Sequence, residues 1–279
     1  MSVAAPSRPG LRRPARRLRR LRIPAPAVSI ALLPLLVAAW FLATESGAVS
    51  RILLPPPEAV ARAVPRVLQA PAFQRNLLRT VTEILTGYAL GSLIGFSLGL
   101  LLGSSTRLRR AYLPFLSAFD AIPTIILAPL IIAWFGFGLA GKTVQAAIAC
   151  FYAVFITTLS GLSLADPDAV TLMRSLRASP WQILVKLRIP SALPAIFGGL
   201  QIGATLAIIG AIVSEFVAAD AGLGFMMVRY RSSFNTAAVF VLILIFLLLG
   251  LASYLLLQFA QRKIVFWRHP DLIHPESST

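Results

Sequence analysis

Charge-free apolar runs alternate with short polar segments along most of this chain, and six of the runs approach or exceed bilayer length. They cover residues 28–43, 84–106, 111–141, 143–165, 189–214 and 232–261; the third is interrupted by one acid, Asp120. About 20 apolar residues suffice for a helix to cross a bilayer, so the pattern predicts an all-α membrane protein with six spans. The first run is short and follows a basic stretch, as in a signal peptide. A cleaved signal would leave a soluble chain, whereas five more runs follow, so the pattern predicts an uncleaved span extended by residues 23–27. Residues 44–76 are polar, carry Pro55-Pro56-Pro57 and show helical spacing over 58–69, which predicts an outer loop with one surface helix.

The one long polar interruption in the C-terminal half is 164–194, and it holds two phased helix starts. Asp166-Pro167 and Ser179-Pro180 each offer a side-chain acceptor at an N-cap and a proline at the first helical position, where a missing N–H costs nothing. Ala169, Leu172, Met173 and Leu176 then fall on one face, as do Trp181, Leu184 and Val185. Pro190 closes the second helix, because a proline inside a helix removes a hydrogen bond and clashes with the preceding turn. Two short amphipathic helices between spans make a platform.

Gly87, Gly91, Gly95, Gly99 and Gly103 recur every four residues in the second run. Small residues at that spacing let helix backbones approach closely within lipid, so this stripe predicts packing against another helix. It says nothing of a substrate.

Composition and charge fit this picture. Apolar residues make up 57% of the 279, charged residues only 13%, and the mean hydropathy is +0.81. The formal charge of +16 could suggest nucleic acid, but the basic residues fall in the first 22 positions and in short segments between runs. Charges so placed orient a membrane protein, and no nucleic-acid partner is expected. With the N-terminus inside, eighteen of the 26 basic residues lie on the inner side and eight on the outer. Both termini and the 164–194 loop are therefore expected in the cytoplasm. The predicted organisation is a disordered basic tail (1–27), a six-span domain (28–262) and a C-terminal tail (263–279). Cys150 is the sole cysteine, so neither an internal disulfide nor a thiolate metal cluster is possible.

Residues 136–143, Gly-Phe-Gly-Leu-Ala-Gly-Lys-Thr, formally match the G-x-x-x-x-G-K-[ST] phosphate loop. That loop needs a preceding strand, a following soluble helix and an acid for magnesium. Here membrane-length runs flank it, and no acid lies between Asp120 and Asp166. The expected reading is a glycine turn between spans, with Lys142 at the membrane interface.

A family resemblance rests on a series of short motifs. These are Ala121-Ile122-Pro123, Ala128-Pro129-Leu130, Trp134-Phe135-Gly136-Phe137-Gly138, Ile189-Pro190-Ser191-Ala192-Leu193-Pro194, Ser214-Glu215-Phe216 and Ala221-Gly222-Leu223-Gly224. In that order and spacing, over residues 54–268, the chain resembles the permease subunits of bacterial ATP-binding-cassette (ABC) importers, nearest to the group handling nitrate, taurine, aliphatic sulfonates and thiamine or riboflavin precursors. The resemblance implies a type I importer bundle in the bacterial inner membrane. It implies a separate cytoplasmic ATPase subunit, an external substrate-binding protein and a second permease copy as partners, no cofactor, and no catalytic residues in this chain. The family's cytoplasmic coupling signature, Glu-Ala-Ala, three residues, Gly, nine residues, Ile-x-Leu-Pro, falls on Thr171, Leu172, Met173, Arg177, Leu187, Ile189 and Pro190. Spacing and proline are kept; the Glu, both alanines and the glycine are replaced. With Asp166 as cap, these residues form the expected ATPase-coupling element.

The translocation pathway is expected to draw on polar or helix-breaking positions within the runs: Asp120, Pro123, Gln145, Thr157, Gln201 and Glu215. An acid at mid-depth costs on the order of 2.5–3.5 kcal/mol on insertion scales and so must face a cavity or partner; Asp120 either lines the path and meets a cationic part of the solute or stays protonated and hydrogen-bonds a neighbouring helix. Asp120 leans the substrate toward a heterocyclic or cationic solute. Glu215, followed by Asp220 and Gly222-Leu223-Gly224, resembles the family's external gate; a solvated acid at the end of a span is the plainer alternative. A competing expectation, an ion-coupled secondary carrier, calls for paired intramembrane charges and inverted repeats, and the sequence displays neither clearly.

Overall fold

A computed structural model describes residues 25–47, 49–218 and 220–267. Among these residues the chain is wholly helical. The helices are α1 (Ala25–Glu45), α2 (Pro57–Leu68), α3 (Phe73–Ser104), α4 (Thr106–Asp120), α5 (Thr124–Phe135), α6 (Leu139–Leu162), α7 (Pro167–Ser175), α8 (Pro180–Ile183), α9 (Ile189–Ala218), α10 (Leu223–Ser232) and α11 (Thr236–Ile264). The expected basic tail lies outside the described residues up to position 24, and so does the C-terminal tail from 268.

Among the described residues, four helices are long and apolar enough to cross a membrane: Phe73–Ser104, Leu139–Leu162, Pro180–Val217 and Thr236–Ile264. A fifth results if the bent pair α4–α5 is one span. The expected third run is thus not a straight helix. It breaks after Asp120 and turns by 92° before α5. Pro123 accounts for the break, because a proline disfavours helical backbone at the residue before it, here Ile122.

The bundle is built on α6, which packs along α3 on one side and α9 on the other. The glycine stripe of α3 is the seam. A Cβ at Gly91 would lie 2.5 Å from the Ala147 carbonyl oxygen, one at Gly87 2.9 Å from that of Thr143, and one at Gly99 2.6 Å from Thr158 Cβ. Backbones this close admit nothing larger than glycine. On the other flank, a Cβ at Gly210 would lie 2.9 Å from Ala146 Cα. A second cluster closes one end of the molecule, where Val60, Ala63 and Val67 of α2 meet Leu223 and Met226 of α10 and Val241 and Leu242 of α11. The surface helix expected over 58–69 is α2.

Pro190 does not end a helix. Residues Pro180–Val217 run as one rod of 38 residues, with a π turn at Leu184–Arg188. There the Ile189 N–H reaches back five residues to the Leu184 carbonyl. The widened turn removes the clash that a proline imposes on the preceding α turn. Of the two expected platform helices, α7 stands alone and the second is the first turn of this rod.

Candidate functional site

At the end of the bundle where α3 and α6 begin and α9 finishes, four side chains from three helices grip one backbone turn. Lys142 Nζ of α6 donates to the Ala221 carbonyl at 2.9 Å. Asn76 of α3 accepts from the Gly222 N–H at 2.8 Å, and Thr80 Oγ1, one turn on, accepts from the Leu223 N–H at 2.8 Å. Glu215 of α9 accepts from the Gly224 N–H through Oε2 and from the Thr80 hydroxyl through Oε1, each at 2.5 Å. Four consecutive residues of the turn are each held by a different side chain.

The two glycines are needed for this. Gly222 has φ +121°, and a Cβ on it would run into the Glu215 carboxyl group; one on Gly224 would lie 2.7 Å from Glu215 Oε2. The carboxylate occupies the volume that side chains here would fill, so the motifs Ser214-Glu215-Phe216 and Gly222-Leu223-Gly224 form one contact. Glu215 is only 1% exposed, so it is not a solvated span-end acid.

Lys142 is likewise 1% exposed, and Glu83, its partner at 3.2 Å, is wholly buried. Arg79 adds a second contact to the same Glu83 oxygen at 2.9 Å, while Glu83 Oε2 has no hydrogen-bond partner. Asp220, mostly exposed, sits 3.7 Å from Lys142 on the outside. Lys142 is thus enclosed by protein, a buried carboxylate and a carbonyl taking the place of water around its ammonium. The sequence displays no clear paired charges, whereas Glu83 of α3 and Lys142 of α6 pair between two apolar helices, and Lys142 from that position holds the turn's backbone. A lysine so engaged also has no free ammonium for a nucleotide phosphate, so the phosphate-loop match at 136–143 carries no chemistry.

The platform lies at the opposite end. Asp166 caps α7 by accepting from the Asp168 N–H at 2.9 Å, and Ser179 and Gln182 form a reciprocal capping box at the start of α8. Leu172, Leu176 and Trp181 are exposed, Met173 is half-buried, and Thr171 bonds its hydroxyl back to Pro167. Arg177 has φ +58°. Its N–H meets the Arg174 carbonyl at 2.9 Å, and the Ala178 N–H meets that of Met173 at 2.9 Å. This is the helix-ending left-handed turn that glycine usually supplies, made here by an arginine. Ile189 and Pro190, in contrast, sit half-buried inside the 180–217 rod.

The remaining expected pathway residues do not converge. Asp120 is exposed at the α4–α5 elbow and has no ion-pair or hydrogen-bond partner among the described residues, and Pro123 is exposed beside it. Gln145 is buried, donates to the Thr124 carbonyl at 2.7 Å and leaves Oε1 unpartnered. Thr157 bonds to its own helix at Ala153, and Gln201 pairs with Gln261 of α11 at 3.0 Å. Among the described residues no group of three metal-ligating side chains comes together.

The family described as "binding-protein-dependent transport system inner membrane component" matches residues 87–266. The riboflavin transport system permease protein RibX of Chloroflexus aurantiacus is 34% identical over 90% of this chain and 94% of its own length. The formylaminopyrimidine transport permease protein ThiX of Halalkalibacterium halodurans is 31% identical over 77% and 86%. The taurine transport system permease protein TauC of Escherichia coli is 27% identical over 86% and 89%. An inward-facing structure of the MetNI methionine ABC transporter superposes with a TM-score of 0.60 over 70% of this chain and 95% of that one. At 23% identity, that likeness shows the fold.

Proposed function

The chain belongs to the family of binding-protein-dependent transport system inner membrane components and is a permease subunit of an ABC importer; from that premise we propose that it carries a heterocyclic vitamin or vitamin precursor inward. In this reading it works as one of two permease copies, with a cytoplasmic ATPase subunit on its platform and an external binding protein at its clamped turn. It has six spans, with α1 as the first and α4–α5 as a broken third, and both termini are cytoplasmic.

The observation that carries the mechanism is the uninterrupted 180–217 helix. Its 38 residues, at about 1.5 Å each, span roughly 57 Å. One end bears Trp181 beside α7; the other bears Glu215, bonded to the 221–224 turn. A displacement imposed on α7–α8 by a closing ATPase pair would pass along this rod to the clamp and alternate access between the two faces. The broken α4–α5 segment, with Asp120 unpartnered at its elbow, is the part of the pathway best suited to contact solute, since irregular backbone within a membrane survives where it lines protein or water.

The vitamin assignment rests on the relatives named for riboflavin and formylaminopyrimidine being more similar than the one named for taurine. Uptake of labelled riboflavin, a hydroxymethylpyrimidine and taurine by vesicles holding this chain with its ATPase and binding protein tests it. ATP-dependent accumulation of either heterocycle but not taurine is expected. Accumulation of taurine alone would refute the substrate class, and accumulation that follows a proton gradient without ATP would favour an ion-coupled carrier.

A further inference from the structure

Two cavities adjoin at the platform end, where α3 and α6 finish and the 180–217 rod begins. The first, about 400 Å³, is lined by Arg109, Arg174 and Arg188 together with Ser163 and Thr171. The second, about 730 Å³, is lined largely by apolar groups, with Leu100, Leu101, Pro180, Trp181 and Leu184 in its wall. Gly103, Arg174 and Arg188 belong to both, so the two are lobes of one site.

The arginines have little to offset them. Arg109 donates to Ser163 Oγ at 3.2 Å, and among the described residues none of the three forms an ion pair. Asp166 and Asp168, the acids closest in sequence, line neither lobe. Three guanidinium groups around one cavity repel each other until an anion enters, and planar guanidinium forks match phosphate oxygens well. A free anion would fill only the basic lobe. The apolar lobe beside it, at the level where apolar spans give way to charged segments, calls for a hydrocarbon chain attached to that anion.

We propose that the double cavity binds an anionic phospholipid, with its phosphodiester among Arg109, Arg174 and Arg188 and an acyl chain along Leu100, Leu101 and Trp181. Arg174 lies on α7 and Trp181 on α8, so a bound lipid would bridge the end of α3 to both parts of the platform. Basic pockets between helices at the inner leaflet are a recurring way of holding such headgroups.

The test uses the full chain purified with its ATPase subunit and examined by native mass spectrometry. The probes are palmitoyl-oleoyl phosphatidylglycerol, the matching phosphatidylcholine, dihexanoyl phosphatidylglycerol and inorganic phosphate. Retention of the long-chain phosphatidylglycerol over phosphatidylcholine is expected, with roughly a tenfold or greater loss in the triple variant R109Q/R174Q/R188Q. The control R62Q/R66Q on α2 should retain lipid as the parent does. Trp181→Ser should weaken the long-chain lipid and leave the dihexanoyl one unchanged. If the triple variant fails to assemble, Arg109→Gln and the cavity-filling Leu101→Trp serve, each expected to lower retention. Equal retention of the two long-chain lipids would overturn the proposal, as would an equal loss in the α2 control. Competition by inorganic phosphate without chain dependence would reduce the site to an anion site and overturn the lipid. Phosphatidylglycerol retained by the chain purified without its ATPase subunit but absent from the complex would assign the cavity to the subunit interface and overturn the proposal.

Discussion

Replacing Lys142 with methionine separates a buried structural cation from a lysine that merely reaches the membrane surface. The substitution keeps the apolar stem and removes the ammonium that meets Glu83 at 3.2 Å and the Ala221 carbonyl at 2.9 Å. Glu83 is then a buried carboxylate with one oxygen already unpartnered. Removing one member of a buried pair costs about 3–5 kcal/mol. Arg79 still donates to Glu83 from a partly exposed position, which places the loss near the lower bound. At 2–4 °C per kcal/mol for larger domains, that is a fall in Tm of roughly 6–12 °C. Cys150, buried and the sole thiol, provides the readout through a thiol-reactive fluorophore during heating. Adding Glu83→Gln should then recover part of the loss, by about 1–3 kcal/mol of coupling. A Tm unchanged by Lys142→Met would refute the buried-pair account, and so would losses that add within about 0.5 kcal/mol in the double variant.

The clamp, the seam and the platform give further expectations. Glu215→Gln can accept from only one of the Thr80 hydroxyl and the Gly224 N–H, so a buried donor is stranded at a cost of about 1–3 kcal/mol; limited proteolysis should show faster cleavage within 220–224 and uptake should fall. Gly91→Val should abolish accumulation of folded protein, since even its Cβ meets the Ala147 carbonyl, while Gly250→Ala, with open space at its Cβ, should leave yield unchanged by fluorescence-detected size exclusion. Arg177→Gly should raise Tm slightly, because glycine adopts φ +58° without strain, whereas Arg177→Val should cost about 1–2 kcal/mol of stability and lower Tm, both read in the same thiol assay.

The spans of α3, α6 and α11 could be read from apolar periodicity because their residues face lipid or a close glycine seam. The clamp was harder to read. Residues 73–83 are polar enough to resemble a loop, since Asn76 and Thr80 bond the 222–223 backbone and Glu83 meets Lys142 and Arg79 through one oxygen, all in place of water. Yet the signal is there. Asn76, Thr80, Glu83, Gly87, Gly91, Gly95 and Gly99 are all buried and form one stripe at three- and four-residue steps, so the glycine period continues toward the N-terminus as a polar one. Pro190 misled for another reason: local propensity ends a helix there, but a π turn five residues wide accommodates the ring, and nothing in the residue types announces it. Arg177 shows the same override, since tertiary context holds an arginine where the chain geometry favours glycine.

In the proposed mechanism the α7–α8 platform transmits ATPase movement through the 180–217 rod to the clamped turn. Cysteine placed at Leu172, exposed on α7, in a chain whose Cys150 is replaced by alanine, tests it within the assembled importer. An oxidative crosslink to a single cysteine on the ATPase subunit is expected, with ATP-driven uptake that stops on crosslinking and returns on reduction. A correctly inserted, transport-competent complex that yields no crosslink at any ATPase position would contradict it.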